Sequence, residues 1–180
     1  MRKVIASNLV TLDGFFEGPS HELDWHLVDD EFFAYAEDML RNADVLLFGA
    51  NTYQLMAAYW PTAPQDEIAD KMNNLPKLVF SKTLPTADWN NTRLVKSNAA
   101  EEISKLKQLP GKDMVILGSA HLASSLLNEG LIDEYRVILN PVLIGAGKPL
   151  FPGVTERLRL RLSHTKLFAS GVIVLYYQKT

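Results

Sequence analysis

The chain has 180 residues, 47% of them hydrophobic, and its 18 Lys and Arg against 21 Asp and Glu leave a formal charge of −3. That length and balance fit one globular domain spanning 1–180 with a sizeable core, and they exclude a disordered chain and the basic footprint of a nucleic-acid binder. Cysteine is absent, which removes disulfides, thiolate nucleophiles and thiolate metal sites and agrees with a reducing compartment.

The amino-terminal stretch MRKVIASNLVTLDG holds too short an apolar run for a secretory signal, and no window reaches transmembrane length. The expected location is the cytoplasm, with no membrane partner. Val4 to Thr11 is a strand in which Ser7 and Asn8 interrupt the apolar run, so one face meets something polar. From Phe15 to Asp29 the pattern is that of a long irregular loop of the kind that covers a site. The helical period starts at Asp30, where Phe32, Phe33, Ala36, Met39 and Leu40 share a face, and stops near Asn42.

Val45 to Phe48 is a second buried-strand run, followed by Gly49 and a helix from Asn51 to about Tyr59. Gln65 to Asn74 is polar and loose or briefly helical. Lys77 to Ser81 and Thr92 to Lys96 are the next strands, and Asn98 with Glu101 resembles a capping box opening a helix through Gln108. Asp113 to Gly130 repeats the strand, glycine, helix design: Met114 to Leu117 is apolar without interruption, and Leu122, Ala123, Leu126 and Leu127 recur at helical spacing. Ile132 to Asn140 is a longer strand, Pro141 to Pro152 a glycine- and proline-rich loop, and Leu158 to Phe168 with Val172 to Gln178 an antiparallel hairpin. The reading is an α/β fold with about eight strands, mostly parallel, a carboxyl-terminal antiparallel hairpin and about four flanking helices.

No G-x-G-x-x-G is present, and Gly145-Ala146-Gly147-Lys148 lacks the remaining features of a phosphate-binding P-loop. His21, His26, His121 and His164 show no metal-ligand spacing, so no metal is expected. Ser119 follows a buried strand as a hydrolase nucleophile would, but the G-x-S-x-G elbow is missing. The helix openings after Gly49 and Gly118, the latter offering the amides of Ser119, Ala120 and His121, could each face a phosphate. An ordinary strand-to-helix turn is the other reading of each. Ser81 and Lys82 add a hydroxyl and a cation at a third strand end, and strand carboxyl ends in an open sheet border a common crevice.

These pieces resemble the dihydrofolate-reductase-like fold, and more closely the RibD C-terminal family, the reductase domain of the riboflavin-biosynthesis deaminase/reductase. The resemblance rests on Thr11-Leu12-Asp13-Gly14, Leu46-Leu47-Phe48-Gly49 with Thr52-Tyr53, Leu78-Val79-Phe80-Ser81-Lys82, Leu117-Gly118-Ser119-Ala120, Gly130-Leu131-Ile132-Asp133-Glu134 and the stretch from Pro141 to Phe151. It implies NADPH as cofactor and hydride transfer to a small-molecule substrate, with 5-amino-6-(5-phosphoribosylamino)uracil first and dihydrofolate second. Carried over by position, Gly49, Asn51 and Thr52 lie at one phosphate-binding helix start and Ser81 with Lys82 near the adenosine 2′-phosphate. Gly118, Ser119, Ala120, His121 and Leu122 wrap the pyrophosphate and nicotinamide side, and Ala6, Leu12 and Gly14 border the nicotinamide. Ala50 stands where the family often has a basic residue, so preference for NADPH rests on Lys82.

On the substrate side, Trp25 precedes Asp30 by the spacing of the dihydrofolate-reductase segment that binds a pteridine. That makes Asp30 the candidate catalytic carboxylate and Asp13 its competitor. Trp25 and Phe33 could sandwich a flat heterocycle, and Asn8 is the polar residue beneath it. A homodimer through the loop Gly145 to Gly153 and the terminal strands is what relatives suggest. A nucleotide-binding protein of the same fold that has lost the reaction is the alternative of another class.

Overall fold

Alternation along the central strands decides the layering. A computed structural model describes residues 2–180 of the chain. In β1 (Val4–Thr11) Ile5 packs into one core cluster, while its neighbours Val4 and Ala6 pack into another on the opposite face of the sheet. The same two-residue period splits β3 (Ala43–Gly49), with Leu46 and Phe48 on the first face and Leu47 on the second, and β6 (Asp113–Leu117), with Val115 opposed to Met114 and Ile116. Strands buried on both faces in this way read as continuous apolar runs and need helices on both sides.

The first face is covered by α1 (Asp30–Arg41), α2 (Ala50–Tyr59) and α3 (Glu67–Asn74), which add Tyr35, Met39, Leu40, Tyr53, Ile68 and Met72 to its core. The second face carries α4 (Ala99–Lys107) and α5 (Ala120–Asn128), with Ile103, Leu122, Ala123 and Leu126. The sheet also contains β4 (Lys77–Phe80), β5 (Thr92–Val95), β7 (Glu134–Asn140), β9 (Leu160–Leu167) and β10 (Ile173–Lys179), in the order β5-β4-β3-β6-β1-β7-β10-β9. The pairs from β5 to β7 are parallel, and β10 runs antiparallel to β7 and to β9. The expected eight-stranded, mostly parallel sheet with a terminal antiparallel pair is the one observed.

Two details differ from the sequence reading. The segment after Gln65 is a complete helix, α3, because the Asp66 side chain accepts the Ala69 amide at 2.7 Å and fixes its first turn. That makes five α-helices among the described residues. Within the two long loops, β2 (Phe15–Glu17) pairs antiparallel with β8 (Lys148–Pro149), so these loops form one two-stranded arm beside the main sheet. Gly147 is required there, since a Cβ at this position would lie 2.2 Å from the Glu17 carbonyl oxygen.

Candidate active site

The six parallel strands end on one rim, and a cleft of about 1650 Å³ opens along it. Strand carboxyl ends in an open parallel sheet leave such a crevice because the chain departs from them in alternate directions. Gly49, Asn51, Thr52, Ser81, Lys82 and Gly118 through Leu122 all line it. The turn after β6 and the turn after β3 are bolted together. Ser119 Oγ accepts the Gly49 amide at 2.8 Å, and the Ser119 amide donates to Thr52 Oγ1 at 3.1 Å.

Both Gly118 (φ +63°) and Ser119 (φ +56°) are left-handed, a conformation that glycine enters freely and serine only where its surroundings hold it. The Asn8 carboxamide secures the turn from below, donating from Nδ2 to the Gly118 carbonyl at 3.0 Å. A Cβ on Gly118 would approach Thr52 Cγ2 to 3.2 Å, so the two helix starts are in close contact. The Ser119 amide is thereby consumed. The amides of Ala120, His121 and Leu122 have no acceptor among the described residues and point with the helix dipole toward the cleft.

At the third strand end, Ser81 Oγ accepts the amides of Thr83 and Leu84 at 3.2 and 3.0 Å, which commits it to the local turn. Lys82 is exposed on the cleft and has no ion pair among the described residues. Beside it stand Lys96, Ser97 and Asn98 from the end of β5. The sequence reading gave Lys96 to a strand and Asn98 to a helix cap and assigned none of the three to the site, although their position just past a parallel strand, like that of Ser81 and Lys82, was the available signal.

The remaining sequence candidates, Phe33 excepted, lie outside the cleft lining. Ala6 is buried in the core on the α4 and α5 face. Leu12 is 56% exposed, and it and Gly14 follow β1 outside the cleft lining. Asp13 anchors the loop after β7: its carboxylate accepts from Thr11 Oγ1 at 2.6 Å and from the amides of Gly145 and Ile144 at 2.8 and 3.2 Å. These hydrogen bonds, the Thr11 hydroxyl foremost, hold its pKa below the usual carboxylate value. Asp30 is exposed in the first turn of α1, while its neighbour Asp29 caps that helix by accepting the Phe32 amide at 2.8 Å. Neither Asp13 nor Asp30 lines the cleft.

Trp25 packs edge-on against His26 with ring centroids 4.3 Å apart and lies outside the lining, whereas Phe33 is within it. Asn8 is a supporting residue beneath the Gly118 turn. His26 does line the cleft, and its Nε2 is buried without a partner among the described residues. Burial lowers its pKa to about 4, so its ring is neutral near neutral pH. At the outer lip Lys148 Nζ pairs with Glu17 at 2.5 Å, and His21 Nδ1 lies 3.1 Å from the same carboxylate oxygen. This cluster spans loops far apart in sequence and had no local signature. Among the described residues no three His, Asp or Glu side chains are grouped to hold a metal ion, and no helix is long and apolar enough to cross a membrane.

Comparison with known proteins adds four similarities. The profile of the RibD C-terminal domain matches residues 2–174. YyaP, an uncharacterized protein of Bacillus subtilis, is 37% identical over 98% of this chain and 94% of its own length. Among solved structures, a candidate riboflavin biosynthesis protein of Shewanella sp. PV-4 has a TM-score of 0.78 at 22% identity, covering 100% of this chain and 99% of its own. The diaminohydroxyphosphoribosylaminopyrimidine deaminase and 5-amino-6-(5-phosphoribosylamino)uracil reductase of Thermotoga maritima has a TM-score of 0.71 at 13% identity, with 99% of this chain matching 57% of that one. At such identities the structural likeness is one of fold.

Proposed function

The chain belongs to the RibD C-terminal domain family, and from that premise we propose that it is an NADPH-dependent reductase of a small heterocyclic or imine-like substrate. The observation that carries the proposal is the joining of two helix openings by Ser119, which gathers free amides of α5 and the start of α2 at one cleft. Backbone amides at a helix N-terminus suit the oxygens of a diphosphate. Lys82 and Lys96 at the neighbouring strand ends suit the additional phosphate that distinguishes NADPH from NADH. NADPH bound there supplies the hydride, and the protein supplies position and electrostatics.

With both acidic candidates outside the cleft, the polar groups of this chain that can orient an acceptor are Ser7, Tyr35 and His26. Tyr35 Oη lies 3.4 Å from Ser7 Oγ, and burial raises its pKa, so it remains an O–H donor. The family suggests 5-amino-6-(5-phosphoribosylamino)uracil as the first acceptor to try and dihydrofolate as the second. The proposed setting is the cytoplasm and the proposed assembly a homodimer, which light scattering of the purified protein checks.

The direct test is a titration with NADPH followed through tryptophan fluorescence, with Trp60 on the cleft as the reporter. Saturation below millimolar cofactor, followed by NADPH oxidation when an acceptor is added, is the expected result. No saturable change would remove the reductase assignment. Saturation without oxidation across pterins and ribosylamino-pyrimidines would instead favour a binding protein of the same fold.

A further inference from the structure

The cleft has two chemically different ends. Its strand-end side carries Lys82 and Lys96, but the part walled by α1, α2 and α3 is free of charge: those helices contribute no Asp, Glu, Lys, Arg or His to the lining. Their charged residues lie outside the lining, and three of them are paired with one another there. Arg41 binds Glu67 at 2.6 Å and Glu37 at 3.3 Å, and Glu31 accepts the Ala169 amide at 2.5 Å. The wall consists instead of Phe32, Phe33, Met39, Met56, Tyr59 and Trp60. Tyr59 and Trp60 meet edge to face at 5.0 Å, and the Trp60 indole N–H is turned onto Met56 Sδ at 3.2 Å, leaving ring faces and thioethers as the exposed chemistry.

A phosphate entering this chamber would lose its hydration with no unpaired cation on the wall to replace it, since Arg136 behind Tyr35 is held by Glu134 at 2.7 Å. The one other lysine on the cleft, Lys148, is already held by Glu17. Aromatic faces and methionine sulfur, by contrast, suit a flat ring and adapt to its outline. The buried Ser7 and Tyr35 hydroxyls, 3.4 Å apart, are the polar atoms a ring nitrogen or oxygen would meet, the Tyr35 O–H exchanging its long 3.8 Å contact with Met39 Sδ for the ligand. We propose that the acceptor of this protein is a planar, uncharged, unphosphorylated aromatic heterocycle seated between α1 and α2. The inference rests on the reductase reading for the word acceptor, while the binding preference stands on the chamber alone.

The test is calorimetry with quinoxaline, a neutral bicyclic ring, and with uridine 5′-monophosphate, a flat ring that carries a ribose phosphate. Both are titrated into the full chain, with and without saturating NADP+. Quinoxaline is expected to bind at least roughly tenfold more tightly than the nucleotide does in competition with it. Phe33→Asp, which places a carboxylate on the wall at a position 43% exposed and so tolerant of change, is expected to weaken quinoxaline at least roughly tenfold. It should leave NADP+ binding unaltered. If circular dichroism shows that this variant does not fold, Tyr59→Asp at a 57% exposed site replaces it. Displacement of quinoxaline by the nucleotide at equal or lower concentration, no binding of quinoxaline, or a wall charge without effect on it would each overturn the proposal. Failure of NADP+ to bind counts against the reductase reading, and the chamber is then judged on the titrations without cofactor.

Discussion

The Ser119 hydroxyl accepts the Gly49 amide at 2.8 Å across 70 positions of sequence. This bond holds the openings of α2 and α5 in register with one another, and Ser119 adopts φ +56° to make it. Two replacements separate the effects. Ser119→Ala orphans a part-buried amide, an expected loss of about 1–3 kcal/mol, and retains the left-handed backbone. Ser119→Gly loses the same bond but relieves the backbone, so it should be milder by about 1 kcal/mol. Denaturant unfolding of both variants measures the difference. Equal losses would show that the backbone conformation at this turn stores no strain.

Lys82 is an exposed cation on the cleft, and the proposed reading sets it against the additional phosphate of the cofactor. Lys82→Ala is expected to weaken NADPH by roughly tenfold, or about 1.4 kcal/mol, with a smaller effect on NADH. Lys96→Ala, one strand over, should show the same bias to a lesser degree. Competitive fluorescence titrations of the two cofactors provide the measurement. Parallel losses for both would remove Lys82 from that role.

Asp13 binds loop amides rather than facing the cleft. In Asp13→Asn the amides of Ile144 and Gly145 should exchange hydrogen faster, with cofactor affinity retained and turnover within about tenfold of the parent. A fall of roughly 100-fold or more, the scale of lost acid catalysis, would return the residue to proton transfer.

His26 sets a pH limit on stability. Its folded pKa of about 4 lies below the ordinary 6.5 because burial disfavours the charged ring. Below pH 6.5 the unfolded chain takes up a proton that the folded chain refuses until about pH 4, so stability falls as the pH is lowered through that window. The effect is at most roughly 3 kcal/mol, reduced by whatever solvent reaches the ring. His26→Phe should flatten the dependence between pH 7 and pH 4.5 relative to the parent in urea titrations.

Much of the architecture was legible because it is written locally. Val45 to Phe48 and Met114 to Leu117 are apolar without a break, and only strands covered on both faces read that way. Phe32, Ala36, Met39 and Leu40 carry the period of α1 directly. The arm of β2 and β8 was invisible because its few residues pair across more than a hundred positions and show no period of their own. Lys77 is a similar case. As the first residue of a strand it carries no sign of burial in the sequence, yet it is 1% exposed and donates to the carbonyls of Met72, Asn73 and Leu75 at 2.8, 3.0 and 2.7 Å, closing α3 from within. The same limit applies to the site. Glycines after strands locate the rim, but whether Asp13 and Asp30 turn toward it or away depends on partners brought from other parts of the chain.

The split of the cleft into a rim of amides and a wall of side chains has an evolutionary consequence. Amide groups are common to every residue type, so a grip made from them survives substitution as long as the turns keep their shape. The wall has no such protection, since each replacement on α1 or α2 changes its contour. On the proposed reading, a lineage using this scaffold can therefore exchange one reducible compound for another by a few steps in two helices, with its source of electrons unchanged throughout.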